Sequence, residues 1–181
     1  MTKNIFILLL LALLSTTLLS CSSMKIQDFE NNTPKISFSD FFAGKVEGSG
    51  YFFDRFGNMA VSFTATLNGT WNESTNSLDL VEDFQYSTGE KIKRIYNFKK
   101  EPSGIFRGTA EGFVGDIIVE TKGNALHWTY KLNQYIKGSI WTLGFSDWMW
   151  LQPDGKTILN RAFASKWGIK VGDVFTVLMK K

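Results

Sequence analysis

From Phe41 onward the chain alternates apolar and polar residues with a period of two, and turn residues break the pattern at short intervals. Met59, Val61, Phe63, Ala65, Leu67 and Trp71 share one parity, while Ser62, Thr64, Thr66 and Asn68 share the other. Leu78, Leu80, Phe84 and Tyr86 form a second run, and Ile92, Tyr96 and Phe98 a third. Leu126, Trp128, Tyr130 and Leu132 form a fourth, and Val171, Phe175, Val177 and Met179 the last. Between them stand turn segments such as Phe56-Gly57-Asn58, Ser87-Thr88-Gly89, Lys122-Gly123-Asn124 and Pro153-Asp154-Gly155. Short alternating strands at this spacing, with no helical stretch among them, predict an all-β protein built as an antiparallel meander. An open sheet of some nine or ten strands would leave unpaired edges, so the meander is expected to close into a lipocalin-like β-barrel.

The N-terminus has a different character. Lys3 precedes an apolar run from Ile5 to Leu19 that closes on Ser20 and Cys21. A positive start, a short apolar stretch and a small residue at the cut describe a signal peptide over residues 1–20. The run is shorter than the roughly 20 residues of a spanning helix. Leu18-Leu19-Ser20-Cys21 resembles the lipobox of bacterial lipoproteins, although Leu19 is bulkier than that motif's usual residue. Cys21, the chain's one cysteine, is therefore the expected lipidation site, with palmitate among its acyl groups. A lone thiol in an exported protein invites mispairing unless it is consumed. Ser22 instead of Asp after the cysteine favours the outer membrane by the sorting rule of Gram-negative lipoproteins, with the domain facing the periplasm. Residues 21–40 are polar and weakly patterned and read as the lipidated N-terminus and tether, a few of whose residues dock. Residues 41–181 form the barrel domain.

Lysine and arginine exceed the acidic residues by only three, which argues against a nucleic-acid partner. Lys91, Lys93 and Arg94, beside Lys99 and Lys100, make a local basic patch that reads as a solvated strand face in preference to a lipid-headgroup contact. His127 is the chain's one histidine and lies in a strand between Leu126 and Trp128, as a packed or rim residue. There is no nucleophile elbow, phosphate loop or metal-ligand spacing, and Glu82-Asp83 or Asp116 with Glu120 are acid pairs in name only. No cofactor or metal is implied, and these absences point away from an enzyme.

The richest segment is a hairpin running from Trp141 to Phe163 about Asp154-Gly155. A two-residue turn there sets Trp148 opposite Arg161 and Met149 opposite Asn160. Phe145, Asp147, Met149 and Asn160 then share one face, and Trp148, Trp150 and Arg161 the other. Asp147 and Arg161 cannot pair across it. Both faces are substantially apolar, so both are expected to be covered. These seven residues are the candidate ligand-binding set, with one face on a cavity and the other on the membrane or the tether. The competing reading is plain core packing with Arg161 stacked on Trp148.

Phe41-Phe42-Ala43-Gly44, Gly48-Ser49-Gly50, Asp54-Arg55-Phe56-Gly57, Gly69-Thr70-Trp71, Gly108-Thr109-Ala110 and Gly123-Asn124-Ala125-Leu126 occur in order. Asp147-Trp148-Met149, Leu159-Asn160-Arg161-Ala162 and Ser165-Lys166-Trp167-Gly168 follow. In these the chain resembles the domain-of-unknown-function family 3833, small lipoproteins of Gram-negative bacteria. That resemblance implies a lipocalin-like barrel and no catalytic residues. The expected function is a non-enzymatic, membrane-anchored barrel that holds an apolar, lipid-like small molecule. The alternative is a scaffolding lipoprotein that docks an envelope protein through the aromatic hairpin.

Overall fold

The structure, a computed structural model, describes residues 24–136 and 138–181. The expected signal peptide over residues 1–20 and the expected lipidation site Cys21 lie outside the described residues. Ten strands follow one another: β1 (Gly44–Asp54), β2 (Met59–Asn72), β3 (Ser77–Tyr86), β4 (Lys91–Lys100) and β5 (Phe106–Ala110), then β6 (Ile117–Lys122), β7 (Ala125–Ile136), β8 (Ser139–Leu151), β9 (Thr157–Lys166) and β10 (Ile169–Lys180). Each pairs antiparallel with the next, and β10 pairs with β1, so the meander is a closed barrel. Closure leaves no edge strand among the described residues to template pairing with another chain.

The turns are made as their residues dictate. Gly57, Gly89, Gly104 and Gly155 all take positive φ, which costs glycine nothing. Asp54 accepts backbone hydrogen bonds from Phe56 at 2.8 Å and Asn58 at 3.0 Å, an Asx-type turn. Asp154 does the same for Lys156 and Thr157, both at 2.9 Å. Trp148 lies opposite Arg161 and Met149 opposite Asn160, the expected register, although Gln152 N bonds Thr157 O at 2.8 Å and so leaves a four-residue loop.

One end of the barrel is closed. α1 (Phe38–Phe42), capped by the Ser37 side chain, drives Phe38 and Phe42 into the barrel, where they are 1% and 0% exposed. They meet Phe98, Phe106 and Trp128 at ring-centroid distances of 4.7–5.7 Å. Gly69 admits the plug: a Cβ there would stand 1.9 Å from Phe42 O. Trp71 packs on Phe106 at the same end.

Residues in the segment read as a tether also pack outside the barrel. A 3-10 turn (Ile26–Phe29) lays Ile26 and Phe29 against Ala125, Trp148, Trp150 and Phe163. Gly123, at φ 53, passes so close to Phe29 O that a Cβ would clash with it.

Two strands depart from the simple alternation. Gly48 and Gly50 of β1 face inwards and leave room for Leu178 and Phe63, so the apolar period is missing from this strand. In β10 the apolar parity faces outwards. Phe175, Val177 and Met179 are 42%, 40% and 46% exposed, whereas Leu178 is buried.

Candidate functional site

Above the aromatic plug the barrel is hollow. A cavity of about 680 Å3 is lined by Phe42 and Trp128 at its floor and by Phe63, Phe84 and Phe145 on its walls. Its mouth lies at the opposite end from α1, among the turns that follow β1, β3, β5, β7 and β9.

Phe145, Asp147, Met149 and Asn160 of the candidate set all line this cavity. The other face does not. Trp148 is 4% exposed, and its ring lies 5.8 Å from Phe29 and is stacked 4.1 Å from His127. Trp150 lies 6.2 Å from Phe29. The chain's own residues 26–29 therefore cover the aromatic surface that the scaffolding alternative would offer to a partner. Arg161 is not stacked on Trp148 as expected. Its guanidinium lies over Phe163 and Phe175, at 4.6 and 5.2 Å, and reaches Asp173 at 3.3 Å. The adjacent strand supplies both a carboxylate and a ring, and Trp148 is already occupied by His127 and Phe29.

Halfway down the cavity a polar cluster interrupts the apolar wall. Tyr130 donates to Asp147 Oδ2 at 2.8 Å, and the Asn160 amide reaches Oδ1 at 3.3 Å. Tyr96 donates to Glu82 Oε2 at 2.7 Å. The Arg94 guanidinium stands 3.9 Å from the same oxygen, an ion pair too long for a hydrogen bond, and lies 4.8 Å over the Phe84 ring. Arg94 and Glu82 are 15% and 14% exposed. Burial pushes the Glu82 carboxyl up, against the opposing pull of Arg94 and the Tyr96 hydroxyl. Burial also raises Asp147, against the hydrogen bonds of Tyr130 and Asn160. Tyr96 and Tyr130 are held well above the usual phenol range by burial and the neighbouring carboxylates, so both remain donors.

Arg94 and Glu82 correct the reading of their strands. Arg94 is no solvated basic residue; it points into the barrel with Ile92 and Tyr96. Lys93 points out and pairs with Asp83 at 2.7 Å, so Glu82 and Asp83 lie on opposite faces. Asp116 pairs with Arg107 at 2.7 Å. Parity carried the signal: Arg94 falls between Ile92 and Tyr96, and Glu82 between Leu80 and Phe84, on the inward side of each run. His127 is a packed residue bonded through Nε2 to Ser146 at 2.8 Å, and burial lowers its pKa.

A barrel of this strand order, with its N-terminal plug and single mouth, meets a family model that matches residues 15–181, described as a protein of unknown function (DUF3833). The chain belongs to the DUF3833 family. No curated protein matches the sequence. Among solved structures the chain is similar to the S-type phycobiliprotein lyase CPES from Guillardia theta, at 8% identity and a TM-score of 0.48. That likeness covers 88% of this chain and 98% of the lyase. The expectation that the chain is not an enzyme is not supported by these comparisons. At that similarity the neighbour's activity does not transfer either.

Proposed function

We propose that this DUF3833 protein is an outer-membrane lipoprotein, anchored through Cys21, whose barrel holds a lipid-like amphiphile. The observation that carries the ligand reading is the Arg94 cluster inside an aromatic cavity. A volume of about 680 Å3 lies within the roughly 300–1,000 Å3 of small-molecule sites, which combine apolar walls with a few placed polar groups. Small barrels either fill themselves with side chains or enclose one ligand; here the plugged half is filled and the other half is open. Arginine carries five N–H donors, and none of those of Arg94 is within hydrogen-bond distance of Glu82. A head group rich in acceptor oxygens, a carboxylate or a phosphate, fits those donors, and its hydrocarbon chain fits the rings of Phe63, Phe84 and Phe145. The anchor reading rests on the Leu18-Leu19-Ser20-Cys21 sequence.

Native mass spectrometry of the gently purified protein tests the ligand. A bound small molecule is expected, with occupancy falling at least tenfold in Arg94→Met. A clean unliganded mass, together with no displacement of a fluorescent fatty acid, would sink this reading. For the anchor, palmitate labelling and outer-membrane fractionation should both be lost in Cys21→Ser.

A further inference from the structure

The mouth of the barrel is not uniformly polar. On one arc, the turns that join β1 to β2, β9 to β10 and β7 to β8 stand side by side, because β1 pairs with β10, β9 with β10, and β8 with both β7 and β9. Phe56 tips the first turn at 74% exposure, and Trp167 tips the second at 88%, followed by Ile169 at 64%. Beside the third, Tyr135 and Ile140 are 76% and 71% exposed. Trp167 holds a left-handed backbone, φ 52, a conformation that a bulky side chain rarely adopts. This position is strained and places an indole fully in solvent.

Cations accompany these rings. Lys166 Nζ lies 4.6 Å over Trp141 and 5.0 Å over Trp167, and Arg55 lies 4.6 Å over Phe56. The two carboxylates on this arc are engaged: Asp54 in its own turn, and Asp173 with Arg161 and Lys170. The turn acids Glu90 and Glu111 belong to the other arc, and Asp116, which shares a groove with Gly168 and Lys170, is paired with Arg107. Below the turn tips the outward residues of β10 continue the apolar surface.

We infer that this arc of the mouth docks the barrel onto an anionic lipid surface. Aromatic rings bearing a basic neighbour suit the depth where acyl chains give way to head groups, the ring against the chains and the cation among the phosphates. Juxtaposed Lys and Arg draw such a surface to an anionic leaflet. Docked this way, the cavity opens against lipid instead of bulk water.

Residues 22–181 test this without acyl chains, because they contain the closed barrel and both segments packed on it. The polypeptide should co-sediment with phosphatidylcholine vesicles containing phosphatidylglycerol, and more weakly with pure phosphatidylcholine or at high salt. The variant Phe56→Ala with Trp167→Gly should bind about tenfold more weakly at an unchanged or higher melting temperature, since glycine suits the left-handed position. Trp167→Phe should retain most binding. Absence of vesicle binding, or equal binding by the double variant, overturns the inference. So does sedimentation equilibrium showing a dimer that the same substitutions disperse, which would assign the face to a second copy of the chain.

Discussion

Tyr130 of β7 donates a 2.8 Å hydrogen bond to Asp147 of β8 inside the barrel, and the Asn160 amide is the other side-chain donor to that carboxyl. A buried carboxyl deprived of one of two donors bears a desolvation cost that the remaining bond offsets only in part. Tyr130→Phe is therefore expected to lower stability by about 1–2 kcal/mol. Urea unfolding measures it, and an unchanged midpoint would show that water satisfies Asp147 instead.

Asp147 and Glu82 both have folded-state pKa values raised by burial. Such a carboxyl binds its proton more tightly in the folded state, so its contribution to stability is largest at low pH. That contribution is lost as pH rises through the folded value. Acidification from pH 7 towards the ordinary carboxyl range should thus favour folding at these two sites. The double comparison isolates the effect: Asp147→Asn should gain less than the parent between pH 7 and pH 5 in thermal melts. Equal pH responses would contradict the raised value.

Gly69 meets the plug through backbone, with a Cβ there falling 1.9 Å from Phe42 O. No rotamer change can relieve that contact. Gly69→Ala should displace α1 and cost about 1–3 kcal/mol, the range for overpacking a fitted core. Differential scanning calorimetry reads the loss, and a near-ultraviolet circular dichroism change should accompany it as Phe42 shifts against Trp128.

Ile26, 5% exposed, belongs to a small cluster separate from the barrel core. Ile26→Asp buries an unpaired charge unless the segment lifts away. Trypsin should then cut faster at Lys25 and Lys35 while the barrel stays intact, and Trp148 emission should shift to the red. A globally unfolded variant would show that the outer cluster supports the barrel itself.

Period-two alternation sufficed for the barrel and for the two faces of the β8–β9 hairpin, because one register places Phe145, Asp147, Met149 and Asn160 together. It failed where a residue's chemistry outweighed its position. Arg94 and Glu82 occupy inward positions, yet a charge in a strand is more often solvated, and only the hollow above the plug makes room for the pair. β1 was illegible because glycines occupy its inward positions. Phe38 and Phe42 sit in a stretch of five residues, too short to announce a helix; their burial depends on the shape of the hole that they fill. The outward turn of Phe175 and Val177 follows from the β9–β10 register, which sets them opposite Arg161 and Leu159 after an irregularity at Lys170/Gly172 that the alternation in β10 does not encode.

Seating Ile26 on the outer wall has a mechanical consequence. Only five peptide units separate it from Cys21, a leash of roughly 17 Å at full stretch. A barrel fastened by acyl chains at that cysteine would be held by the wall near the β6–β7 turn, at the plugged end, so its mouth meets the same leaflet only when the barrel lies along the surface.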